Sequence, residues 1–262
     1  MKTMSLALRS AALVVAGFLL LAGTAHADEI RVMTSGAFTA AYLEVIPTFE
    51  RATRNSIVTA YGASMGGAHD SIPSRLQRGE SVDVVILAGP ALEALIAQGK
   101  VVAGSRVDLA RSSIGIAVRA GALRPDISSV DALTRTLLRA KSIAYSASAS
   151  GVYVSTEMFQ RLGIADQMKG KSKRIDSEPV GALVARGEAE IGFQQISELL
   201  PVPGIDYVGP LPPEVQKVTV FSAGVAVGAR KPEAARALIR FLASPAVVPA
   251  IKKSGMDLLT SR

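Results

Sequence analysis

Apolar and polar positions alternate along the chain in blocks that predict strands followed by helices. Short β-branched runs at 29–34, 56–61 and 82–87 predict strands, and the third is almost entirely apolar, as in strands buried on both faces. Phe38 to Arg51 carries apolar residues at helical spacing, and a further helix is predicted to run through Arg78. This alternation predicts a parallel or mixed sheet covered by helices.

The remainder of the chain continues the same alternation. Further strands are predicted at 111–119, 142–145, 191–194 and 217–227. Further helices are predicted at 92–98, 152–162, 179–186, 232–243 and 245–253, and within 126–140 behind a cap at Ser128 or Ser129. No long linker separates these segments, so two lobes would have to be joined by strands that cross between them.

The first 27 residues have the pattern of an export signal. Lys2 and Arg9 precede the apolar run 11–21, which is too short for a membrane core that needs about 20 residues. Ala25-His26-Ala27 then offers small residues at a cleavage site. We expect export to the periplasm with cleavage after Ala27, and Ala22 is an alternative cleavage site.

Composition excludes several kinds of site. The chain has no cysteine, so it forms no disulfide, thiolate nucleophile or cysteine zinc site, and it has no tryptophan and few aromatic residues for stacking. The formal charge of +7 falls to +5 when the two basic residues of the signal are removed. The remaining basic residues are scattered along the chain, as on a solvated surface. The net positive charge still favours a small anionic ligand over a cationic one. Short basic segments at 51–54 and 169–174 do not predict nucleic-acid binding.

Three strand-to-helix turns carry hydroxyls and glycines, at 34–36, 62–67 and 146–151. Such turns lie at the carboxyl ends of strands, where open α/β sheets bind ligands. Hydroxyls and free N–H groups at helix starts can hold an anion without a metal or cofactor. Each turn alone is more typical of an ordinary loop, and only the three together make a ligand site an equal alternative. The segment 165–172 matches a loose phosphate-loop pattern, but no strand is predicted before it.

The order of these motifs resembles the molybdate-binding type of periplasmic receptor. The resemblance rests on the Ser35 turn, Gly62-Ala63-Ser64, Arg78-Gly79-Glu80, Val82-Asp83-Val84-Val85 and the run from Gly187 to Phe193. It implies the two-lobed type II periplasmic binding protein fold, an α/β architecture with mixed sheets flanked by helices and two hinge strands. The implied lobes are 28–110 with 221–262, and 111–220, closing on a ligand between them.

The resemblance also implies a set of ligand contacts. The family's oxyanion contacts fall at Ser35, Ser64, Ser150 and Val180, and Gln195 stands where the family has a tyrosine. A glutamine pair offers donors and acceptors that suit an organic acid better than a symmetric oxyanion. The full set of expected ligand-binding residues is Ser35, Ser64, Met65, Ser148, Ser150, Gly151, Val180, Gln194 and Gln195.

The same scaffold is used by an isomerase branch, which interconverts cis- and trans-aconitate, and the resemblance extends to it. That reaction needs a base, for which His69 is the first candidate and Glu198 and Tyr153 are reserves. Asp70 is equally a capping or a catalytic candidate. The alternatives are a non-catalytic receptor that delivers an oxyanion or organic acid to an inner-membrane ATP-driven transporter, and a ligand sensor for a membrane kinase.

Overall fold

The chain folds around two five-stranded mixed sheets flanked by helices. The computed structural model describes residues 28–259, so the predicted export signal lies outside the described residues. The strands are β1 Glu29–Thr34, β2 Ser56–Tyr61, β3 Val84–Ala88, β4 Val107–Ser112, β5 Ile114–Arg119, β6 Ile143–Ser146, β7 Ser172–Ile175, β8 Ile191–Gln195, β9 Ile205–Pro210 and β10 Thr219–Val225. The α-helices are α1 Gly36–Thr53, α2 Ile72–Gln77, α3 Gly89–Ala97, α4 Val130–Arg139, α5 Ala149–Tyr153, α6 Phe159–Arg161, α7 Ala165–Met168, α8 Val180–Arg186, α9 Ile196–Leu199, α10 Pro232–Leu242 and α11 Val248–Lys253.

The first sheet has the strand order β2-β1-β3-β10-β4. β1 pairs in parallel with β2 and β3, whereas β10 runs antiparallel to β3 and β4. Every residue of β3 is buried, as its unbroken apolar sequence predicts. α1 covers this sheet with its apolar face, including Phe38, Tyr42 and Phe49, so the start of α1 is held rigidly at the sheet edge.

The second sheet has the order β7-β6-β8-β5-β9. β6 is parallel to β7 and β8, and β5 is antiparallel to β8 and β9. Its core joins Leu133 of α4 to Phe159 and Phe193. α4 begins behind Ser129, whose Oγ accepts the Ala132 N–H at 3.1 Å, so Ser129 rather than Ser128 is the cap.

The two sheets are joined where the chain crosses between them. The strand predicted at 111–119 is interrupted at Ser113, so that β4 belongs to the first sheet and β5 to the second. Before the chain returns to β10, the side-chain amide of Gln216 bonds both the N–H and the C=O of Ile114, each at 2.9 Å. The division of the whole chain into lobes 28–110 with 221–262, and 111–220, stays a prediction.

Several predicted helices and strands differ from those observed. α2 is shorter than predicted because Ser71 caps it, so His69 and Asp70 precede the helix instead of opening it. The helix predicted at 152–162 starts earlier, at Ala149, and contains the π-helical turn Val154–Met158. β7 includes the second half of the basic segment 169–174, where no strand was predicted because charged residues hide the strand pattern. β9 was likewise not predicted.

A buried aspartate ties the first sheet to the C-terminal segment. The carboxylate of Asp83, 1% exposed, accepts the backbone N–H groups of Arg31 at 2.8 Å, Arg230 at 2.6 Å and Lys231 at 3.1 Å. These donors satisfy the charge, so this residue has a structural role.

Within residues 28–259 no single helix has the length and apolar character to cross a membrane. The pair α10 and α11 together has that length and apolar character, but the two helices are bent by 57°.

Candidate functional site

A cavity of about 200 Å³ lies where loops of the two sheets face each other. Its lining comes from the start of α1, the turn after β2, the turn after β6, the loop from β7 to α8, and the end of β8 with α9. The lining residues are Gly36, Tyr61, Gly62, Ala63, Asp70, Ser146, Ala147, Ser148, Ile175, Asp176, Ser177, Glu178, Pro179, Gln194 and Glu198. A mostly apolar groove of about 530 Å³ adjoins it and shares Gly36, Tyr61, Pro179, Gln194 and Glu198.

Ser35 places a buried hydroxyl at the start of the 18-residue helix α1. It occupies the N-cap position in extended geometry, yet its side chain makes no capping bond. In the described part of the chain its Oγ has no hydrogen-bond partner. In the first helical turn the Phe38 N–H donates to the Ser35 carbonyl oxygen at 3.3 Å, and the N–H groups of Gly36 and Ala37 precede that bond. Together they form a donor group suited to an anionic oxygen.

Ser64 connects the two sides of the cavity. Its Oγ accepts the Ala88 N–H at 3.0 Å, and its own N–H donates to Ser148 Oγ at 3.1 Å. Ser148 is the N-cap of α5 and belongs to the turn after β6, so this bond spans the cleft. The structure therefore brings Ser64 and Ser148 together, as the sequence predicted for the hydroxyl-bearing turns.

Ser150 and Gly151 lie behind the cavity surface. Ser150 Oγ is 3.1 Å from Ser146 Oγ, and Ser146 lines the cavity. A Cβ at Gly151 would lie 1.7 Å from the Ser146 carbonyl oxygen, so only glycine lets α5 start this close to β6. These two residues shape the turn, and Ser146 and Ser148 present it to a ligand.

Gln194 organises the second-sheet side of the cavity. Its Oε1 accepts the Val180 N–H at 3.0 Å, and its Nε2 donates to Glu198 Oε1 at 3.1 Å. Val180 itself has its side chain in a small apolar cluster with Leu183 and Val184. The glutamine amide therefore fixes both the start of α8 and the position of a carboxyl group.

Glu198 has the most perturbed carboxyl group of the cavity. Burial raises its pKa to about 7, and hydrogen bonds from the Gln194 side chain and the Gln195 N–H oppose that rise. The carboxyl lies directly against Gly36, since a Cβ there would be 2.0 Å from Glu198 Oε1. A side chain from the second sheet thus reaches the start of α1 on the first, next to Ser35.

Gln195 points away from the cavity. Successive side chains of a strand alternate between faces, so it lies opposite to Gln194. Its amide is 3.3 Å from Thr219 Oγ1 and 3.2 Å from the carbonyl oxygens of Ser112 and Ser113. This residue therefore joins the two segments that cross between the sheets, and it does not line the cavity.

Tyr153, Met65 and His69 also lie outside the cavity lining, as do Ser35, Ser64 and Val180. Tyr153 is buried in the core of the second sheet, where its hydroxyl donates to the Val215 carbonyl at 2.8 Å. Met65 packs against the apolar cluster under the first sheet. His69 is exposed on the turn before α2. Its neighbour Asp70, in contrast, does line the cavity.

The charge of the cavity is unusual for an anion site. Four carboxyl groups line it, and the lining includes no lysine or arginine among the described residues. Glu178 is paired with Arg186 at 3.1 and 3.2 Å, and Asp176 with Arg174 at 3.0 Å. Asp70 and Glu198 have no such ion pair within residues 28–259. An anion must therefore be held by backbone and hydroxyl donors and by protonated carboxyls.

Sequence reasoning missed the loop 176–179 and the role of Gly36. The loop follows β7, which was not predicted, so nothing placed its acids at the cleft. The Ser35-Gly36 turn did give a signal, because glycine allows the close approach that Glu198 makes. No group of three or more metal-ligating side chains is present in the described part of the chain.

Comparison with known proteins gives one family and several relatives. Residues 30–257 match the family model of bacterial extracellular solute-binding proteins. An aconitate isomerase from Pseudomonas sp is 47% identical over 245 residues, which cover 92% of this chain and 94% of that protein. The molybdate-binding protein ModA of Azotobacter vinelandii is 28% identical over 254 residues, covering 91% and 94%. The structure of the periplasmic molybdate-binding protein of Azotobacter vinelandii has a TM-score of 0.71 at 21% identity, covering 88% and 100%.

Proposed function

Because the chain belongs to the family of bacterial extracellular solute-binding proteins, we propose that it is an exported, periplasmic isomerase of cis- and trans-aconitate. The relative with 47% identity over most of both chains bears that activity in its name. The reaction would take place in the cavity between the two sheets. The observation that carries the proposal is a carboxyl group with a pKa of about 7, that of Glu198, beside anion-binding donors.

The reaction is an allylic proton shift. A base removes a proton from the methylene carbon, and the electron pair of that C–H bond forms the new double bond. The negative charge is held in the conjugated carboxylate while the old double bond opens. A proton then returns to the former vinyl carbon, so no atom is gained or lost. The protein must supply a base that is partly ionised at neutral pH, and donors for the developing charge.

Glu198 meets the requirements for the base. A pKa of about 7 makes its carboxylate far more basic than an ordinary glutamate while leaving a large ionised fraction at neutral pH. The amide of Gln194 holds one oxygen at 3.1 Å, which fixes the direction of the carboxyl group.

The donors for the substrate carboxylates lie on both sides of Glu198. On the first sheet the cavity is lined by Gly36, which follows Ser35 at the start of α1, and the helix dipole adds positive potential there. Ser148 and Ser146 line the cavity from the second sheet. The charge that develops on a substrate carboxylate during proton removal would be stabilised by these preorganised dipoles.

The direct test is to mix the purified protein with cis-aconitate and follow trans-aconitate by chromatography. The Glu198→Gln variant should lose about 10²- to 10⁴-fold in kcat, because amide nitrogen and oxygen cannot accept the proton. Binding of the unreactive propane-1,2,3-tricarboxylate should persist. Glu157→Gln, the same change at an exposed position, is the matched control. Full activity of Glu198→Gln would contradict the role of Glu198.

The alternative is a receptor that binds a molybdate-like oxyanion or a small organic acid for an ATP-driven transporter. It is supported by the relative named as a molybdate-binding protein and by the donor group at Ser35. Calorimetric titration with molybdate separates the two proposals. Tight, saturable molybdate binding without turnover of cis-aconitate would favour the receptor.

A further inference from the structure

Asp70 is the second carboxyl group of the cavity without an ion pair in residues 28–259. Its Oδ1 is buried and has no hydrogen-bond partner among the described residues. It does not cap α2, because Ser71 performs that function through its Oγ, which accepts the Ser74 N–H at 3.3 Å. A Cβ at Gly62 would lie 2.3 Å from the Asp70 carbonyl oxygen, so the turn that carries the aspartate is tightly packed.

The charged groups around Asp70 do not neutralise it directly. Arg75 is close enough to interact with it electrostatically. The guanidinium of Arg75, however, bonds the Glu80 carboxylate and the Tyr61 carbonyl oxygen, the latter at 3.1 Å. His69 is exposed to solvent. The buried Oδ1 of Asp70 is thus left to interact with whatever occupies the cavity.

Asp70 and Glu198 lie in opposite environments. Glu198 receives N–H donors from Gln194 and Gln195, which favour its ionised form as a base. Asp70 Oδ1 receives none within residues 28–259, so a substrate carboxylate beside it favours sharing of a proton between the two acids.

We propose that Asp70 is the catalytic acid that returns a proton to the allylic unit while Glu198 removes one from the other end. This inference rests on the proposed isomerase function. The Glu198 carboxylate gains the methylene proton, and the protonated Asp70 loses its own proton to the former vinyl carbon. The two residues then exchange protons with solvent to reset the site. Asp70 follows β2 of the first sheet, and Glu198 follows β8 of the second. The pair of catalytic groups is therefore complete only when both sheets face the same ligand.

The first experiment uses cis-aconitate carrying deuterium at its methylene carbon, with turnover in ordinary water. We expect trans-aconitate without the migrating label, because different residues donate and accept the proton. We expect Asp70→Asn to lower kcat by about 10²- to 10⁴-fold without raising KM, since it removes a negative charge from an anion site. Asp131→Asn, at an exposed position of α4, is the control. Transfer of the label to the new methylene carbon of the product, or a kcat of Asp70→Asn within a few fold of wild type, would overturn the proposal.

A second experiment tests the proton uptake by Asp70 beside a bound tricarboxylate, and it does not depend on turnover. Calorimetric titration with propane-1,2,3-tricarboxylate in buffers of different ionisation enthalpy measures the protons taken up on binding. Wild type should take up more protons than Asp70→Asn, by about one at most. Equal uptake, or no binding of the tricarboxylate, would overturn the role of Asp70. Failure of turnover with this uptake intact would overturn the isomerase function and the catalytic role of Asp70 with it, but not the proton uptake by Asp70.

Discussion

Replacement of Gly36 by alanine tests the placement of Glu198 in the cleft. A Cβ at this position would lie 2.0 Å from Glu198 Oε1, 2.8 Å from its Cδ and 3.3 Å from its Cγ. An ordinary contact is about 3.5 Å or longer, so the carboxyl group must move by more than about 1 Å. A displacement of about 1 Å in a catalytic group can lower the rate by about 100-fold. We therefore expect kcat/KM for cis-aconitate to fall by about two orders of magnitude.

The same substitution should leave the fold intact. Gly36 has ordinary helical geometry at the first position of α1, and alanine is the better helix former by up to about 1 kcal/mol. Loss of the Gln194–Glu198 hydrogen bond would offset about that amount. The free energy of unfolding should therefore change by no more than about 1 kcal/mol, which separates a displaced base from an unfolded protein.

The assay compares kcat/KM and denaturant unfolding of wild type, Gly36→Ala and Gly170→Ala. Gly170 lies in a second-sheet turn where an added Cβ would have no heavy atom within 4 Å, so its variant controls for the added methyl group. Wild-type kinetics for Gly36→Ala would refute the argument, because the Glu198 carboxyl could then not depend on its contact with the start of α1.

Three further predictions concern the charged and polar candidates. The kcat/KM should rise with pH around a midpoint near 7, because the base must be ionised, and a pH–rate series checks this. Glu198→Gln should gain stability over wild type as pH rises from 5 to 8, by at most about 3 kcal/mol, because a raised carboxyl pKa disfavours the folded state at high pH. Unfolding of both proteins over the same pH range measures that gain. His69→Ala and Tyr153→Phe should keep near-normal kcat, which steady-state kinetics measures. Tyr153→Phe should also lower the free energy of unfolding by about 1 kcal/mol in a denaturant titration, because it removes the hydrogen bond to the Val215 carbonyl. Asp83→Ala should lower the free energy of unfolding by about 3 kcal/mol or more, because three backbone donors lose their acceptor, and urea titration measures this.

The turns of the site could be predicted because their residues combine two local signals. A strand pattern followed by Ser35-Gly36 or by Gly62-Ala63-Ser64 marks both the end of a strand and a small, donor-rich turn. Topology then places such turns at one sheet edge. The structure accordingly puts Gly36 and Ser148 on opposite walls of one cavity, with Ser64 bonded to Ser148 across it.

The side of the strand on which each glutamine lies could not be predicted in the same way. In β8 the run Phe193-Gln194-Gln195 is buried on both faces, so hydropathy gives no alternation to fix which amide faces the ligand. The two neighbouring residues therefore have different roles. Gln194 lies on the ligand side and holds Glu198, whereas Gln195 packs at the crossing between the sheets. Tyr153 was misplaced for a similar reason, because a tyrosine near a ligand turn suits a core equally well.

The carboxyl groups of the cavity favour an isomerase over a receptor on physical grounds. A receptor for an anion gains nothing from a group such as Glu198, whose ionisation near pH 7 repels its ligand in the range where it must bind. Two of the four acids, Glu178 and Asp176, are already matched by arginines outside the cavity lining. The other two, Glu198 and Asp70, have no ion pair within residues 28–259. Two such carboxyl groups without cationic partners weaken the binding of an anion. Their presence is explained if the bound acid must lose one proton and gain another.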